Sequence, residues 1–213
     1  MLYKYPRTYH VPWSKGFTSD DKVLKDLSHF DRMPIVITEK RDGENTTLYT
    51  DHYHARSIDS IDHESRHWLK QFWSTFRHDI PTTLRICGEN LYAKHSIGYE
   101  DLDTYFEVFS IWEGEVCLSW EDTKLWCNLL GLKHVPVLWE GVYEYDMSIP
   151  LPNSFSDDIF FDRIEGYVIR LADEFLYDDF KISVAKWVRK GHVQTNQHWM
   201  HSEIIPNKLR GDI

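Results

Sequence analysis

Apolar and polar positions along the chain alternate or cluster so as to predict interleaved strands and helices. Strand-like runs, rich in β-branched and aromatic residues, fall at 34–40, 45–50, 53–57, 84–90, 104–112, 164–171 and 180–188. Helical spacing occurs three times. DDKVLKDLSHF, residues 20–30, gathers Val23, Leu24, Leu27 and Phe30 on one side. In DHESRHWLKQFWSTF, residues 62–76, Trp68, Leu69, Phe72, Trp73 and Phe76 recur at helical intervals, Asp62 is available as a cap and Pro81 closes the segment. WEDTKLWCNLLG, residues 120–131, has Ser119 before it as N-cap and Gly131 as its stop. The turn-forming stretch SIPLPNSFSDD, residues 148–158, reads as a surface loop. The expectation is a single α+β domain over residues 1–213, with mostly antiparallel sheets and helices packed against them.

One run poses a chemical question. PIVITEKRDGENTTLYTD, residues 34–51, ends its apolar part on Glu39-Lys40-Arg41-Asp42, turns at Gly43 and resumes as an alternating strand. Asp-Gly is a good two-residue turn signal, so one reading is a β-hairpin with Lys40 as a solvated strand-end residue. The other is that Lys40 is a nucleophile at the lip of a pocket.

Composition narrows the classes. Nine tryptophans and 42% hydrophobic residues in 213 are enough for a substantial core. No apolar run approaches the roughly 20 residues of a membrane span, and no basic-then-apolar leader opens the chain. Cys87, Cys117 and Cys127 form no C-x-x-C pair, which points to reduced thiols in a cytoplasmic setting and away from a thiolate zinc site. His52 and His54 make an H-x-H pair without an evident third ligand, and read as surface polarity, as do the Asp157-Asp158 and Asp178-Asp179 pairs. A formal charge of −10 argues against tight, nonspecific nucleic-acid binding, yet leaves metal-assisted phosphate chemistry open.

Five later blocks favour the nucleophile. HARSID places Arg56 at a strand end, and RICGENLYAKHSI puts Glu89 directly after an apolar run. TYFEVFSIW carries Phe109, with Tyr105, Glu107 and Phe109 on one strand face and Phe106 and Val108 on the other. RIEGYVIR sets Glu165 before Gly166, and ISVAKWVRKGHV carries Lys186, Arg189 and Lys190. In this order the blocks resemble the nucleotidyl-transfer motifs of ATP-dependent RNA ligases, particularly the family of the second phage T4 RNA ligase. The wider covalent nucleotidyltransferase superfamily also contains DNA ligases and mRNA capping enzymes. Asn45, five residues after Lys40, stands where those two groups usually have Arg and RNA ligases often have Asn.

The resemblance implies a ligase-type adenylylation domain, two antiparallel sheets flanked by helices with ATP in the cleft between them. It implies that Lys40 carries AMP as a phosphoramidate on its way to an RNA 5′-phosphate, which a 3′-hydroxyl then attacks. Glu39, Asn45, Arg56, Glu89, Phe109, Glu165, Lys186 and Arg189 would surround the nucleotide, with Phe109 stacking on adenine. Mg²⁺, or Mn²⁺ in its place, would sit on Glu165 partly through water. The partners implied are ATP and RNA with 5′-phosphate and 3′-hydroxyl ends, for a monomer acting in RNA repair. The chemistry suits these residue types. A free lysine has a pKa near 10.4, so neighbouring cations must favour its neutral form while also neutralising phosphates.

The alternatives are a DNA ligase, a capping-type nucleotidyltransferase, or a non-catalytic RNA- or nucleotide-binding module on a degenerate copy of the fold. Lys40, Glu89, Glu165 and Lys186 together speak against the last. Many relatives carry a second Lys two residues after the first basic residue of the last block. Val188 stands there, which makes Arg189 the first choice for a second basic contact and Lys190 the next. With 23 residues after Lys190, no appended C-terminal domain is expected. HVQTNQHWMHSEIIPNKL is read as a closing loop and helix, and the N-terminal MLYKYPRTYHVPWSKGF as a source of aromatic stacking and basic phosphate contacts.

Overall fold

The computed structural model describes residues 1–145, 164–190 and 204–211, so the loop expected at 148–158 lies outside the described residues. In chain order the elements are β1 (Tyr9–His10), β2 (Pro34–Lys40), β3 (Glu44–Leu48), β4 (Tyr53–Ala55), α1 (His67–Phe76), β5 (Leu84–Asn90), β6 (Phe106–Glu113) and β7 (Val116–Cys117). Then come α2 (Trp120–Leu129), β8 (Lys133–His134), β9 (Val137–Val142), β10 (Gly166–Leu171), β11 (Phe175–Leu176), α3 (Phe180–Ser183) and β12 (Val184–Val188). They form a five-stranded sheet, ordered β1-β12-β10-β2-β9, and a seven-stranded sheet, ordered β11-β7-β6-β5-β3-β4 with β8 beside β6. Most pairings are antiparallel, as the α+β expectation required.

The residue patterns explain the layers. On β2, Ile35 and Ile37 turn outward into a core with Val11, Leu27, Phe30, Tyr143 and Ile169, so residues 11–30 blanket the outer face of the five-stranded sheet. Val36, Thr38 and Lys40 alternate to the inner face. The outer face of the seven-stranded sheet buries Leu48, Ile86, Phe106, Val108 and Ile111 against Leu69, Trp73 and Phe76 of α1 and Cys127 of α2. Between the sheets, Cys87, Trp112, Cys117, Phe175, Phe180 and Val184 form an inner core that closes one end of the intervening space. The other end stays open as a cleft.

The strand from 34 to 40 and the strand at 84–90 sit where the pattern predicts them. The hairpin reading of residues 34–51 does not hold. β2 pairs with β10 and β9, whereas β3 pairs with β4 and β5 in the other sheet. Arg41–Gly43 is therefore a crossing between sheets. Residues 20–30 are not a helix either, apart from one 3₁₀ turn at Ser28–Phe30. Leu24, Leu27 and Phe30 still reach the core while Val23 stays exposed; His10 bridges Val23, and the Thr18 N–H bonds the Asp21 carboxylate, which holds the chain out of helical geometry. The run at 180–188 opens with α3 before its strand. His63, not Asp62, caps the 3₁₀ turn that leads into α1, accepting from the Ser65 N–H. Ser119 accepts from the Asp122 N–H at 3.1 Å, and Gly131, at φ 67°, ends α2 as expected. The described part of the C-terminal segment is extended, with Pro206 bridging Ala93 and Leu209 bridging Leu102.

Candidate active site

Crossing from β2 to β3 places Lys40 at the junction of the two sheets, and its neighbours Glu39, Arg41, Asp42 and Glu44 are each fixed by a partner. Arg41 forks onto Glu107, with Nε–Oε2 2.7 Å and Nη2–Oε1 3.1 Å, and also bonds Glu39 at 2.7 Å. Asp42 accepts from Ser96 Oγ at 2.6 Å and from the Ile97 N–H at 2.8 Å. Glu44 is clamped by buried Arg66 at 2.5 and 2.6 Å. Gly43 is required by close approach, because a Cβ there would lie 2.5 Å from the Asn90 carbonyl oxygen. Rigid surroundings of this kind hold a reacting group in place.

Lys40 itself turns into a cleft of about 390 Å³ between the sheets, lined also by Thr38, Glu39, Asn45, Arg56, Glu89, Phe109, Val168 and Lys186. Its Nζ donates to Glu165 Oε2, reached because β10 pairs Gly166 with Lys40. Burial presses the Lys40 ammonium toward its neutral form, but the carboxylates of Glu165 and Glu89 outweigh it and raise the pKa. Glu89 lies on β5 opposite Asn45 and accepts from the Gly43 N–H at 3.1 Å. Burial pushes its carboxyl up to about 8, against the pull of Lys40. Lys186 pairs in register with Val168, and burial together with the Lys40 charge brings it down to about 8. Its described counter-ion is Asp21, 3.9 Å away.

Phe109 reaches the cleft through a bulge. In the β5–β6 pairing Cys87 opposes Ser110 and the next residue, Gly88, opposes Val108, so Phe109 is the extra residue. Both Phe109 and Ser110 then line the cleft, while Val108 and Ile111 stay in the outer core. Phe109 and Val168, from opposite sheets, make an apolar end to the cleft. Beyond Asn45 and Arg56 a second hollow opens, lined by Gly43, Ser57, Ser60, Arg66 and His95.

The structure thus brings together Glu39, Lys40, Asn45, Arg56, Glu89, Phe109, Glu165 and Lys186. Arg189 does not join them. On β12 Val184 and Lys186 line the cleft, whereas Arg189 follows the end of the strand and does not; its N–H bonds the Glu165 carbonyl at 3.1 Å. Lys190 is exposed beyond the strand and does not line the cleft. Sequence reasoning missed Val168 and Ser110. Strand alternation from Lys186's partner could have found the first, but a bulge leaves no local signal for the second. His52 and His54 sit with ring centroids 6.0 Å apart, and among the described residues no group of three His, Cys, Asp or Glu side chains could hold a metal ion.

The donor set fits a nucleotide with a divalent cation. Buried Asn45 Oδ1 has no hydrogen-bond partner among the described residues and so waits for a donor. Glu165 and Glu89 are the carboxylates in reach of Lys40. Mg²⁺ is commonly held by one or two carboxylates plus substrate phosphates and water, which this arrangement allows without a protein-only cage.

Residues 33–188 match the family model described as RNA ligase. Comparison with curated proteins finds no match. Among solved structures the chain is similar to an Aquifex aeolicus protein assigned as an ATP-dependent DNA ligase, at 18% identity and TM-score 0.56 over 88% of this chain and 50% of that one. It is similar to an archaeal ATP-dependent RNA ligase, at 14% identity and TM-score 0.53 over 88% of this chain and 48% of the other. It is also similar to a Naegleria gruberi RNA ligase solved with PPi, at 16% identity and TM-score 0.50 over 89% and 61%. At these identities the likeness is one of fold. The chain spans about half the length of the first two structures.

Proposed function

This chain belongs to the RNA ligase family, and we propose that it joins RNA ends by moving AMP from ATP through Lys40. The observation that carries this reading is Lys40 itself, fixed at the sheet crossing and facing Glu165, Glu89 and Lys186 inside a nucleotide-sized cleft.

The chemistry follows from the placement. Base and ribose lie toward Phe109, Val168 and Glu89, and the phosphates toward Lys40, Lys186 and Arg56. Lys40 Nζ, after giving up a proton, attacks the α-phosphorus; a P–N bond forms, the α–β P–O bond breaks and pyrophosphate leaves with the electron pair. An RNA 5′-phosphate oxygen then attacks the same phosphorus, the P–N bond breaks, and Lys40 regains its proton. Attack of a 3′-hydroxyl oxygen on the RNA 5′-phosphorus forms the phosphodiester and releases AMP. Asn45 and Arg56 line both the cleft and the adjoining hollow, so an RNA 5′ end held in the hollow would meet the adenylylated lysine there. A divalent cation on Glu165 would neutralise phosphate charge and take over the carboxylate that otherwise holds the Lys40 ammonium. Positioning and charge neutralisation carry phosphoryl transfer, which explains a site of cationic side chains on rigid strands.

The test is incubation with α-labelled ATP or GTP and Mg²⁺, followed by a denaturing gel. Label from ATP that is acid-labile and absent from Lys40→Ala supports the proposal. Label from GTP alone would indicate a capping-type enzyme, and no label a binding module. Full labelling of Lys40→Ala would remove Lys40 as the nucleophile.

A further inference from the structure

The geometry points to the N-terminal segment as a third wall of the nucleotide cleft, with Tyr5 contacting the base and Arg7 the phosphates. This inference rests on the nucleotide-transfer reading above and assigns two substrate-contacting residues outside the motif blocks.

The segment is tied to both sheets. At one end the Tyr3 N–H donates to the Tyr49 hydroxyl at 3.0 Å, and the Arg85 guanidinium lies 4.2 Å from the Tyr3 ring centroid. Tyr177 Oη donates to the Lys4 carbonyl at 2.7 Å. At the other end β1 pairs in parallel with β12, His10 opposite Lys186. Residues 3–10 therefore cross from the seven-stranded sheet to the five-stranded one, and Tyr5, Pro6, Arg7 and Thr8 line the cleft as they pass.

Tyr5 is held as a wall and not as a plug. Its ring stands edge-on to Phe109 at 5.1 Å and to Phe180 at 5.4 Å, with the Ser110 hydroxyl beside its phenol. With the ring in that place the cleft still measures about 390 Å³, inside the roughly 300–1,000 Å³ typical of small-molecule sites. Tyr5, Phe109 and Val168 pack on the same inner core, so the apolar end has three sides, one from each sheet and one from the segment.

Arg7 lines the cleft two residues farther on. Two residues of chain reach at most about 7 Å, comparable to the span from a nucleotide's base to its first phosphate. The Arg7 guanidinium bonds the Asp20 carbonyl at 2.5 Å, and among the described residues neither Arg7 nor Arg56 has a carboxylate partner. Burial and the Arg7 charge both lower the Arg56 pKa, the mark of like charges held close. Asp21 offsets the repulsion at Arg56 only in part, so a polyphosphate lying between the two guanidinium groups would relieve it.

The test uses the full chain carrying Tyr5→Ala, Tyr5→Phe, Arg7→Met or Arg7→Lys, with thermal unfolding to verify that each folds. Binding of ATP and of adenosine is measured by calorimetry. Arg7→Met should weaken ATP about 10- to 100-fold, the worth of a charged hydrogen bond, and leave adenosine unchanged, with Arg7→Lys restoring part of the loss. Tyr5→Ala should weaken both ligands by the same factor, and Tyr5→Phe should bind like the parent. ATP binding unchanged or tighter in Tyr5→Ala and Arg7→Met would overturn the inference while leaving Lys40 chemistry intact. Equal loss of ATP and adenosine in Arg7→Met would also overturn it, by making Arg7 a structural residue. A parent chain that binds neither ligand would take down the nucleotide reading and this inference together.

Discussion

Lys40 donates to Glu165, and the carboxylates of Glu165 and Glu89 keep its ammonium charged. Glu165 thus has competing duties, as counter-ion of the resting lysine and as the proposed cation ligand. Glu165→Gln separates them. Losing the carboxylate removes the negative charge that does most to raise the Lys40 pKa, so the amine should react faster with a small acylating reagent at about pH 8–9. Adduct formation from ATP and Mg²⁺ should nevertheless fall at least about 100-fold, since a charge ligand worth several kcal/mol is gone. Retention of most activity would make Glu165 structural. Glu89 gives a prediction about stability. Its folded-state pKa of about 8 lies above that of an unfolded glutamate, so its contribution is fully present below about pH 4.5 and is lost as pH rises through 8. Glu89→Gln should therefore raise Tm by a few degrees at pH 8.5 and by nothing near pH 4, read by thermal unfolding at the two pH values. A gain that is largest at low pH would show that burial is not what raises the Glu89 pKa.

Strands carry the site, and strands were what the apolar pattern made legible. The runs at 34–40, 84–90 and 164–171 could be read because β-branched residues alternate or cluster there, and the chemical residues Lys40, Glu89 and Glu165 sit at their ends. Pairing between distant strands leaves no such trace. Nothing in the order of residues 34–51 distinguishes a hairpin from a crossing between sheets, and the Asp-Gly turn serves both. Residues 20–30 kept their helical periodicity while tertiary pairing held them out of a helix, and Arg189, one residue past the end of β12, is not among the residues that line the cleft. Gly166 tests the pairing directly. A Cβ there would collide with the Trp187 carbonyl oxygen on β12, and no side-chain rotation relieves a clash with backbone. Gly166→Ala should cost about 1–3 kcal/mol of stability, the usual penalty of overpacking. It should also lower adduct formation more than thermal stability alone explains, because the shift separates Glu165 and Lys40 from Lys186. Wild-type adduct yield in a folded Gly166→Ala protein would show that this register is not needed for the chemistry.

At the scale of the whole molecule, a chain with net charge −10 still gives its cleft a small cationic excess: Arg7, Lys40, Arg41, Arg56, Arg170 and Lys186 line it against Asp20, Asp21, Glu39 and Glu89. Long-range attraction for a polynucleotide is accordingly weak, and binding relies on a few phosphates close to the reacting ends. For about three neutralised phosphates the logarithm of affinity should fall with the logarithm of salt with a slope of roughly −2 to −3. Choice of strand then rests on local contacts more than on charge. The buried Asn45 acceptor has no donor among the described residues, and a ribose 2′-hydroxyl can supply one where deoxyribose cannot. Sealing should therefore be faster when the nucleotides that present the 3′-hydroxyl are ribonucleotides. Two pre-adenylylated substrates that differ only in those sugars bypass Lys40 adenylylation and isolate recognition with sealing. A ribo form sealed about 10-fold faster or more, the worth of one satisfied hydrogen bond in a buried site, fits an RNA ligase. Equal or faster sealing of the deoxyribo form would move this chain's activity to DNA ends, with its fold and its lysine chemistry unchanged.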